Sequence, residues 1–167
     1  MAKKDYYRKD YSKALVKFEK FVKKFPSHSN YHRAEEYIID CEYKIPYKLM
    51  KQGLILENAG KVKKALVLYQ TAKSKVKKDT IADNMIDGRI EQIALLWMIK
   101  AEGMLNEENY ITAYNIVKTV SNFSIQGQKE IRRFKSWVVL GEGKNYQKLG
   151  FIGKAMEKYV EALDLNN

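Results

Sequence analysis

Lysines recur at the spacing of a helix face in two stretches of the chain, and such rows could bind anions. The chain carries 31 basic and 20 acidic residues, a formal net charge of +11. The excess is confined to residues 1–25 and 61–79, each with a net charge of +6. The candidate basic face comprises Lys13, Lys17, Lys20, Lys24, Lys73, Lys77 and Lys78. Phosphates, acidic protein surfaces and anionic lipid headgroups are bound through such charge, although a solvated helix face shows the same pattern.

Arginine is scarce, since only five of the 31 basic residues are arginine. Sites that grip phosphate or read base edges favour arginine, because its planar guanidinium carries a fixed fork of donors. The sequence contains no RNA-binding signature or zinc finger beside the charge. The basic segments therefore indicate an acidic protein or an anionic membrane surface as a partner, rather than nucleic acid.

Few residues could bind a metal or act as a nucleophile. His28, His32 and Glu36 are four residues apart and could share a helical stripe, but the chain has no HExxH motif or second ligand pair. The single cysteine, Cys41, lies on an apolar stripe, which is typical of a buried thiol. We expect no metal, no cofactor and no catalytic residue.

Two glycine-rich segments superficially resemble phosphate-binding loops. They read GEGK at residues 141–144 and GFIGK at residues 150–154, and neither completes GxGxxG or GxxxxGK[ST]. Acidic pairs such as Glu107 and Glu108 are adjacent on a predicted helix, so their side chains point apart. The sequence therefore does not predict an enzyme.

The elements that must position these residues are helices. The composition is 46% hydrophobic with 2 proline and 9 glycine residues, too few for the turns of an all-β fold. Apolar spacing predicts eight segments, at about residues 11–25, 30–44, 47–59, 62–77, 81–105, 110–121, 124–148 and 152–164.

Several residues predict where these segments begin and end. Pro26 stops the first segment, and Pro46 ends or kinks the second. The predicted N-caps are Ser27 or Ser29 for the second segment, Asp79 or Thr80 for the fifth, and Ser124 for the seventh.

The sequence contains an internal repeat. Gly143, Tyr146, Gly150, Ala155, Tyr159 and Ala162 follow one another at gaps of 3, 4, 5, 4 and 3 residues, and Gly53, Leu56, Gly60, Ala65, Tyr69 and Ala72 repeat those gaps. A third copy comprises Ala101, Met104, Glu108, Ala113, Val117 and Val120, and a partial copy comprises Ala14, Phe18, Phe21 and Pro26. The chain is therefore a repeat array.

These positions resemble the tetratricopeptide repeat (TPR). The resemblance implies an all-α, TPR-like superhelical array of antiparallel pairs, each a helix A followed by a helix B, with small residues where the two approach closely. Ala14, Ala65, Ala113 and Ala155 are 51, 48 and 42 residues apart, whereas the standard unit is about 34 residues long. We therefore expect either long A helices or inserted extra turns, within one domain over residues 1–167, with units at roughly 1–26, 30–78, 80–123 and 124–167.

The opening residues resemble the TPR subgroup of bacterial envelope proteins. The matching residues are Tyr11, Ala14, Phe18, Phe21, Pro26 and Ala34. The first copy starts at its B helix and no capping helix follows the last, so we expect exposed apolar surface at the ends and a longer parent polypeptide. A fragment favours the periplasm or envelope, and a complete chain favours the cytoplasm.

The leading functional hypothesis is a noncatalytic scaffold whose concave groove holds a peptide or helix of a protein partner. The groove candidates, chosen on predicted A helices outside the core, are Tyr37, Tyr47, Met50, Asn84, Arg89, Gln92 and Arg133. The alternative is a surface-binding protein that engages an acidic protein, anionic lipid or nucleic acid through its lysines. Charge-driven binding weakens steeply between about 50 and 200 mM salt, whereas binding by apolar anchors persists.

Overall fold

The computed structural model describes residues 1–166 and folds them into eight helices without a strand. The helices are α1 (Ala2–Tyr7), α2 (Tyr11–Lys24), α3 (Tyr31–Asn58), α4 (Val62–Lys73), α5 (Thr80–Asn106), α6 (Tyr110–Ser121), α7 (Ile125–Lys148) and α8 (Ile152–Asn166). They pack mostly as sequential neighbours, for example α1 on α2, α3 on α4 and α7 on α8. The all-α prediction is therefore confirmed.

The chain divides into two compact units. The first is Met1–Asp87 and the second begins at Gly88, so the boundary falls inside α5. The first unit contains 20 basic and 11 acidic residues, whereas the second contains 11 and 9. Nearly all of the net positive charge thus belongs to the first unit.

Of the two outcomes predicted at Pro46, an end of the helix is wrong. α3 runs through this residue as one helix of 28 residues. Pro46 is buried, as are Cys41, Ile45 and Gly53 on the same helix. Burial of these residues offsets the loss of the backbone hydrogen bond that proline removes. Packing therefore outweighs the helix-breaking tendency of Pro46.

The helix starts match the predictions in part. Asp79 Oδ1 accepts a hydrogen bond from Ala82 N at 3.0 Å, which confirms Asp79 as a cap. The predicted Ser27 or Ser29 cap is wrong, because Asn30 occupies the N-cap of α3 and makes no side-chain cap bond. Ser124 is confirmed as the N-cap of α7.

The first copy is more complete than its sequence predicts. α1 lies where the sequence analysis placed no helix. Its residue Ala2 stands twelve residues before Ala14, which is the distance from Gly53 to Ala65. Ala2 also packs against the buried cluster that contains Ala14. The first copy therefore has a short A helix as well as its B helix.

One turn joins the two helices of each pair, and the four turns are equivalent. In each turn, a residue with positive φ donates its N–H to the carbonyl three residues earlier, and the next residue donates to the carbonyl five earlier, at 2.8–3.0 Å. This pattern is the Schellman motif. The residues with positive φ are Lys9 (61°), Gly60 (72°), Glu108 (56°) and Gly150 (79°). Each stands five residues before a buried alanine of the repeat, so the sequence repeat is also a structural one.

The two non-glycine turns predict a stabilising substitution. Lys9→Gly should raise the free energy of unfolding by roughly 1 kcal/mol, because glycine adopts positive φ without the Cβ clash. The contact that Lys9 makes through its backbone, its carbonyl accepting from Lys48 Nζ at 2.6 Å, is kept. The matched control is Lys20→Gly, which should destabilise by roughly 1 kcal/mol because Lys20 is exposed in the interior of α2. Urea unfolding measures both, and equal signs would contradict the assignment of the turn.

The spacing between helices A and B is set by a repeated contact of a small residue with a larger one. A Cβ on Gly53 would lie 2.5 Å from Cε1 of Tyr69, and one on Gly143 would lie 2.5 Å from Cε1 of Tyr159. Only glycine leaves room for these rings. In the third copy Ala101 shares a cluster with the smaller Val117.

The two tyrosines also make equivalent hydrogen bonds. The Tyr69 hydroxyl donates to Glu57 Oε2 at 2.8 Å, and the Tyr159 hydroxyl donates to Gln147 Oε1 at 2.6 Å. Each acceptor stands four residues after the glycine beneath the ring. The A helices are also long, with 28, 27 and 24 residues in α3, α5 and α7, as the repeat spacing predicts.

Candidate partner-binding site

A surface cavity of about 500 Å³ lies among α1, α2 and α3 in the first unit. We call it the α1–α3 pocket. Its lining consists of Met1, Ala2, Lys3, Lys17, Phe18, Phe21, Asn30, Arg33, Ala34 and Tyr37. Most of its surface is apolar, and its volume falls in the range of about 300–1,000 Å³ that small-ligand pockets span.

Aromatic rings form the floor of this pocket. The rings of Phe18 and Tyr37 stack with centroids 4.8 Å apart and planes within 3° of each other. Tyr6 packs edge-on against Tyr37, also at 4.8 Å. Phe18 is buried, and Phe21 and Tyr37 are half-buried, so the core holds the floor and part of the Phe21 and Tyr37 rings stays accessible.

A polar network ties α1 to α3 beside the floor. The Tyr6 hydroxyl donates to Asp40 Oδ2, and Lys44 Nζ donates to that hydroxyl at 2.6 Å and pairs with Asp40 at 2.7 Å. Burial alone would raise the pKa of Asp40, but the hydrogen bonds from Lys44 and Tyr6 hold it below its usual value. The network fixes the short α1, which supplies Ala2 and Lys3 to the pocket.

The pocket is positive at its rim. Lys3 Nζ lies 5.9 Å from the centre of the Tyr37 ring. The pKa of the Tyr37 hydroxyl is lowered, first by its hydrogen bond with Tyr7 and then, against the opposing effect of burial, by the charges of Arg33 and Lys3. Cationic groups therefore flank the aromatic floor.

The other groove candidates lie elsewhere. The Tyr47 hydroxyl donates to Asp79 Oδ2 at 2.9 Å, so it supports the start of α5. Arg89 donates to Gln92 at 3.0 Å in the second unit. Met50 is half-buried on α3, and Asn84 is exposed on α5.

Arg133, the last groove candidate, lies in the second unit and forms ion pairs with Glu102 and Glu130, the latter at 2.7 Å. Its guanidinium also covers the ring of Phe134 at 4.9 Å. Of the seven predicted groove residues, only Tyr37 lines the α1–α3 pocket.

The predicted basic face is partly neutralised. Its paired members are Lys13 with Asp10, Lys17 with Asp5, Lys73 with Asp87 and Lys77 with Glu42. Within residues 1–166, Lys20, Lys24 and Lys78 form no ion pair. Sequence analysis missed these pairs because the partners of Lys17, Lys73 and Lys77 stand 12, 14 and 35 residues away.

The histidines are not brought into a metal-binding cluster. His28 Nδ1 accepts a hydrogen bond from Asn30 N at 3.0 Å, and His32 Nδ1 lies 3.3 Å from Glu35. In the described part of the chain, no group of three or more histidine, cysteine or acidic side chains could hold a metal ion.

Cys41 is fully buried, as its apolar stripe predicts. Burial raises the pKa of its thiol to about 11. We expect the native chain to react with a thiol reagent such as DTNB about a hundredfold more slowly than the urea-unfolded chain, since the thiolate is the nucleophile. Absorbance of the released aromatic thiol measures the rate, and similar native and unfolded rates would contradict this prediction.

A second apolar surface lies on α8. Ile152, Met156, Val160 and Leu163 are each more than half exposed and follow one face of the helix. Leu66, which occupies the position of Met156 in the second copy, is fully buried. The last helix therefore exposes apolar surface, as the repeat predicts.

The pocket residues that the sequence analysis did not name are Met1, Ala2, Lys3, Asn30 and Arg33. Lys3 could not be assigned because α1 was not predicted, and Asn30 and Arg33 carry no motif. The one available signal was Ala2, which stands twelve residues before Ala14, as Gly53 does before Ala65. That spacing would have predicted a helix A at α1, which brings Lys3 next to Phe18 in the pocket.

None of the helices in the described residues is both long and apolar enough to cross a membrane. Compared with known proteins, the chain matches no family model, and no significant similarity to a curated protein or a solved structure was found.

Proposed function

We propose that the chain is a noncatalytic protein-interaction module, a TPR-like array whose first unit binds a segment of a partner protein in the α1–α3 pocket. The repeated Schellman turns and the glycine–tyrosine contacts support the array. The observation that carries the binding role is the pocket itself, with an aromatic floor that includes the half-buried Tyr37. The resemblance of the opening residues to envelope repeat proteins supports an assembly of the bacterial envelope as the setting.

The size and chemistry of the pocket suit a peptide or one face of a helix. Its volume of about 500 Å³ accommodates one or two large side chains. Aromatic anchors in a desolvated pocket supply most of the binding energy at protein interfaces. The α1–α3 pocket therefore takes an anchor side chain, and the flanking helices α2 and α3 contact the rest of the segment.

The alternative proposal is binding through the basic face. Lys20, Lys24 and Lys78 favour it, since none of them has an acidic partner within the described residues. That mode would lose affinity steeply between about 50 and 200 mM salt. Anchoring in the α1–α3 pocket should retain most of its affinity over the same range.

The test is selection of peptides from a random display library against the immobilised full-length chain, followed by measurement of their affinities. Asn30→Trp places an indole in the pocket, at an exposed position whose side chain makes no cap bond. This substitution should lower the affinity for the selected peptides at least about tenfold. Asn115→Trp, at an exposed position of α6, is the matched control and should leave the affinities unchanged. Equal affinities for the two variants would contradict the proposal.

A further inference from the structure

Charge is distributed one-sidedly around the α1–α3 pocket. Lys3, Lys17 and Arg33 line it, and no carboxylate does. Lys17 is already paired with Asp5. Among residues 1–166, Lys3 and Arg33 form no ion pair. Both side chains contact Tyr37, but no carboxylate of the described residues neutralises either of them.

Resting on the proposed function, we propose that the α1–α3 pocket recognises an aromatic side chain of the partner segment together with an adjacent carboxylate. The aromatic side chain packs on the rings of Phe18, Phe21 and Tyr37, where offset or edge-on contacts are favourable. The carboxylate accepts hydrogen bonds from Lys3 and Arg33. Arginine suits this role because its guanidinium presents two parallel N–H groups to a carboxylate.

Charge complementarity selects this occupant over a neutral apolar segment. An uncharged peptide would fill the apolar floor and leave Lys3 and Arg33 without an anionic partner. A carboxylate beside the anchor engages both groups in charge-assisted hydrogen bonds, which are roughly twice as strong as neutral ones. The acidic residue also orients the segment, because Arg33 and Lys3 belong to different helices, α3 and α1.

The aromatic floor favours a protein segment over a fatty acid, which offers the same carboxylate on an alkyl chain. Phe21 and Tyr37 are half-buried, so part of each ring stays accessible to an aromatic side chain of the partner. A flexible alkyl chain gains nothing from contact with these rings beyond burial of its surface.

The experiment compares two probes that differ only in the carboxylate. N-Acetyltryptophan and N-acetyltryptophanamide are titrated into the isotope-labelled full-length chain, and chemical-shift changes give the affinities. We expect the acid to bind at least about fivefold more tightly than the amide. The preference should disappear in Lys3→Glu/Arg33→Glu and persist in the control Arg132→Glu/Lys135→Glu, which makes the same charge change at exposed positions of α7.

Each outcome decides the inference. Equal affinities of acid and amide would overturn the carboxylate preference and leave the proposed peptide site standing. Tighter binding of octanoate than of N-acetyltryptophan would assign the pocket to acyl chains and overturn the inference. Loss of the preference for the acid in the α7 control would show that net charge alone causes it, and would overturn the inference. If the double reversal alters the fold, Lys3→Gln/Arg33→Gln should still lower the preference at least about twofold, and an undiminished preference there would overturn the inference.

Discussion

Gly53→Ala is expected to lower the free energy of unfolding by about 2 kcal/mol, although alanine is the better helix former. The added Cβ would lie 2.5 Å from Cε1 and 2.9 Å from Cδ1 of Tyr69. This ring cannot move aside easily, since Tyr69 is 2% exposed and its hydroxyl is bonded to Glu57. The strain therefore falls on the α3–α4 packing. Urea unfolding followed by circular dichroism measures the change.

The control for this prediction is the same substitution in the Tyr69→Val background. The third copy already pairs alanine with valine, at Ala101 and Val117. With the ring removed, Gly53→Ala should be neutral or should stabilise by up to about 1 kcal/mol, because only its helix propensity is left. An equal loss in both backgrounds would contradict the account of why glycine occupies this position.

Ser124→Ala is expected to destabilise the second unit by about 2 kcal/mol, because one hydroxyl performs two functions. Ser124 Oγ accepts a hydrogen bond from Gly127 N at 3.1 Å and donates one to Glu91 Oε2 at 2.6 Å. The side chain is 1% exposed, so water does not replace these bonds. Glu91 Oε1 also accepts from Ile125 N at 2.9 Å, which joins α5 to the start of α7.

Asn109→Ala is the matched control, since Asn109 caps α6 with a single long bond of 3.4 Å to Thr112 N at an exposed site. It should cost only about 0.5 kcal/mol. Thermal unfolding measures both variants. A loss from Asn109→Ala as large as that from Ser124→Ala would show that the cap alone, and not the link to Glu91, stabilises α7.

The sequence predicts the helices well where local signals and packing agree. α6 has its predicted bounds of Tyr110 and Ser121, since a turn precedes it and a second turn follows. Pro46 misleads, because burial of this residue and its neighbours on α3 outweighs one lost hydrogen bond. The turns at Lys9 and Glu108 are not predicted from residue type, because lysine and glutamate rarely adopt a positive φ. Their position five residues before a repeat alanine is the signal that identifies them.

The candidate site is less predictable than the helices. Tyr37 can be selected from its helix face, but the pocket needs side chains from three helices, and α1 carries no strong signal of its own. Ion pairing is equally hidden: Lys77 appears free in the sequence, yet its partner Glu42 lies on α3, 35 residues earlier. Charge counts thus overstate the basic face until the fold pairs the lysines.

Binding of a partner segment in the α1–α3 pocket can be located by chemical-shift mapping. The labelled full-length chain is titrated with the tightest display-selected peptide at about 200 mM salt, where charge-driven binding is weakened. We expect the largest shifts at Phe21, Arg33, Ala34 and Tyr37. Shifts concentrated instead at Lys20, Lys24 and Lys78, and lost as salt is added, would contradict it and assign binding to the basic face.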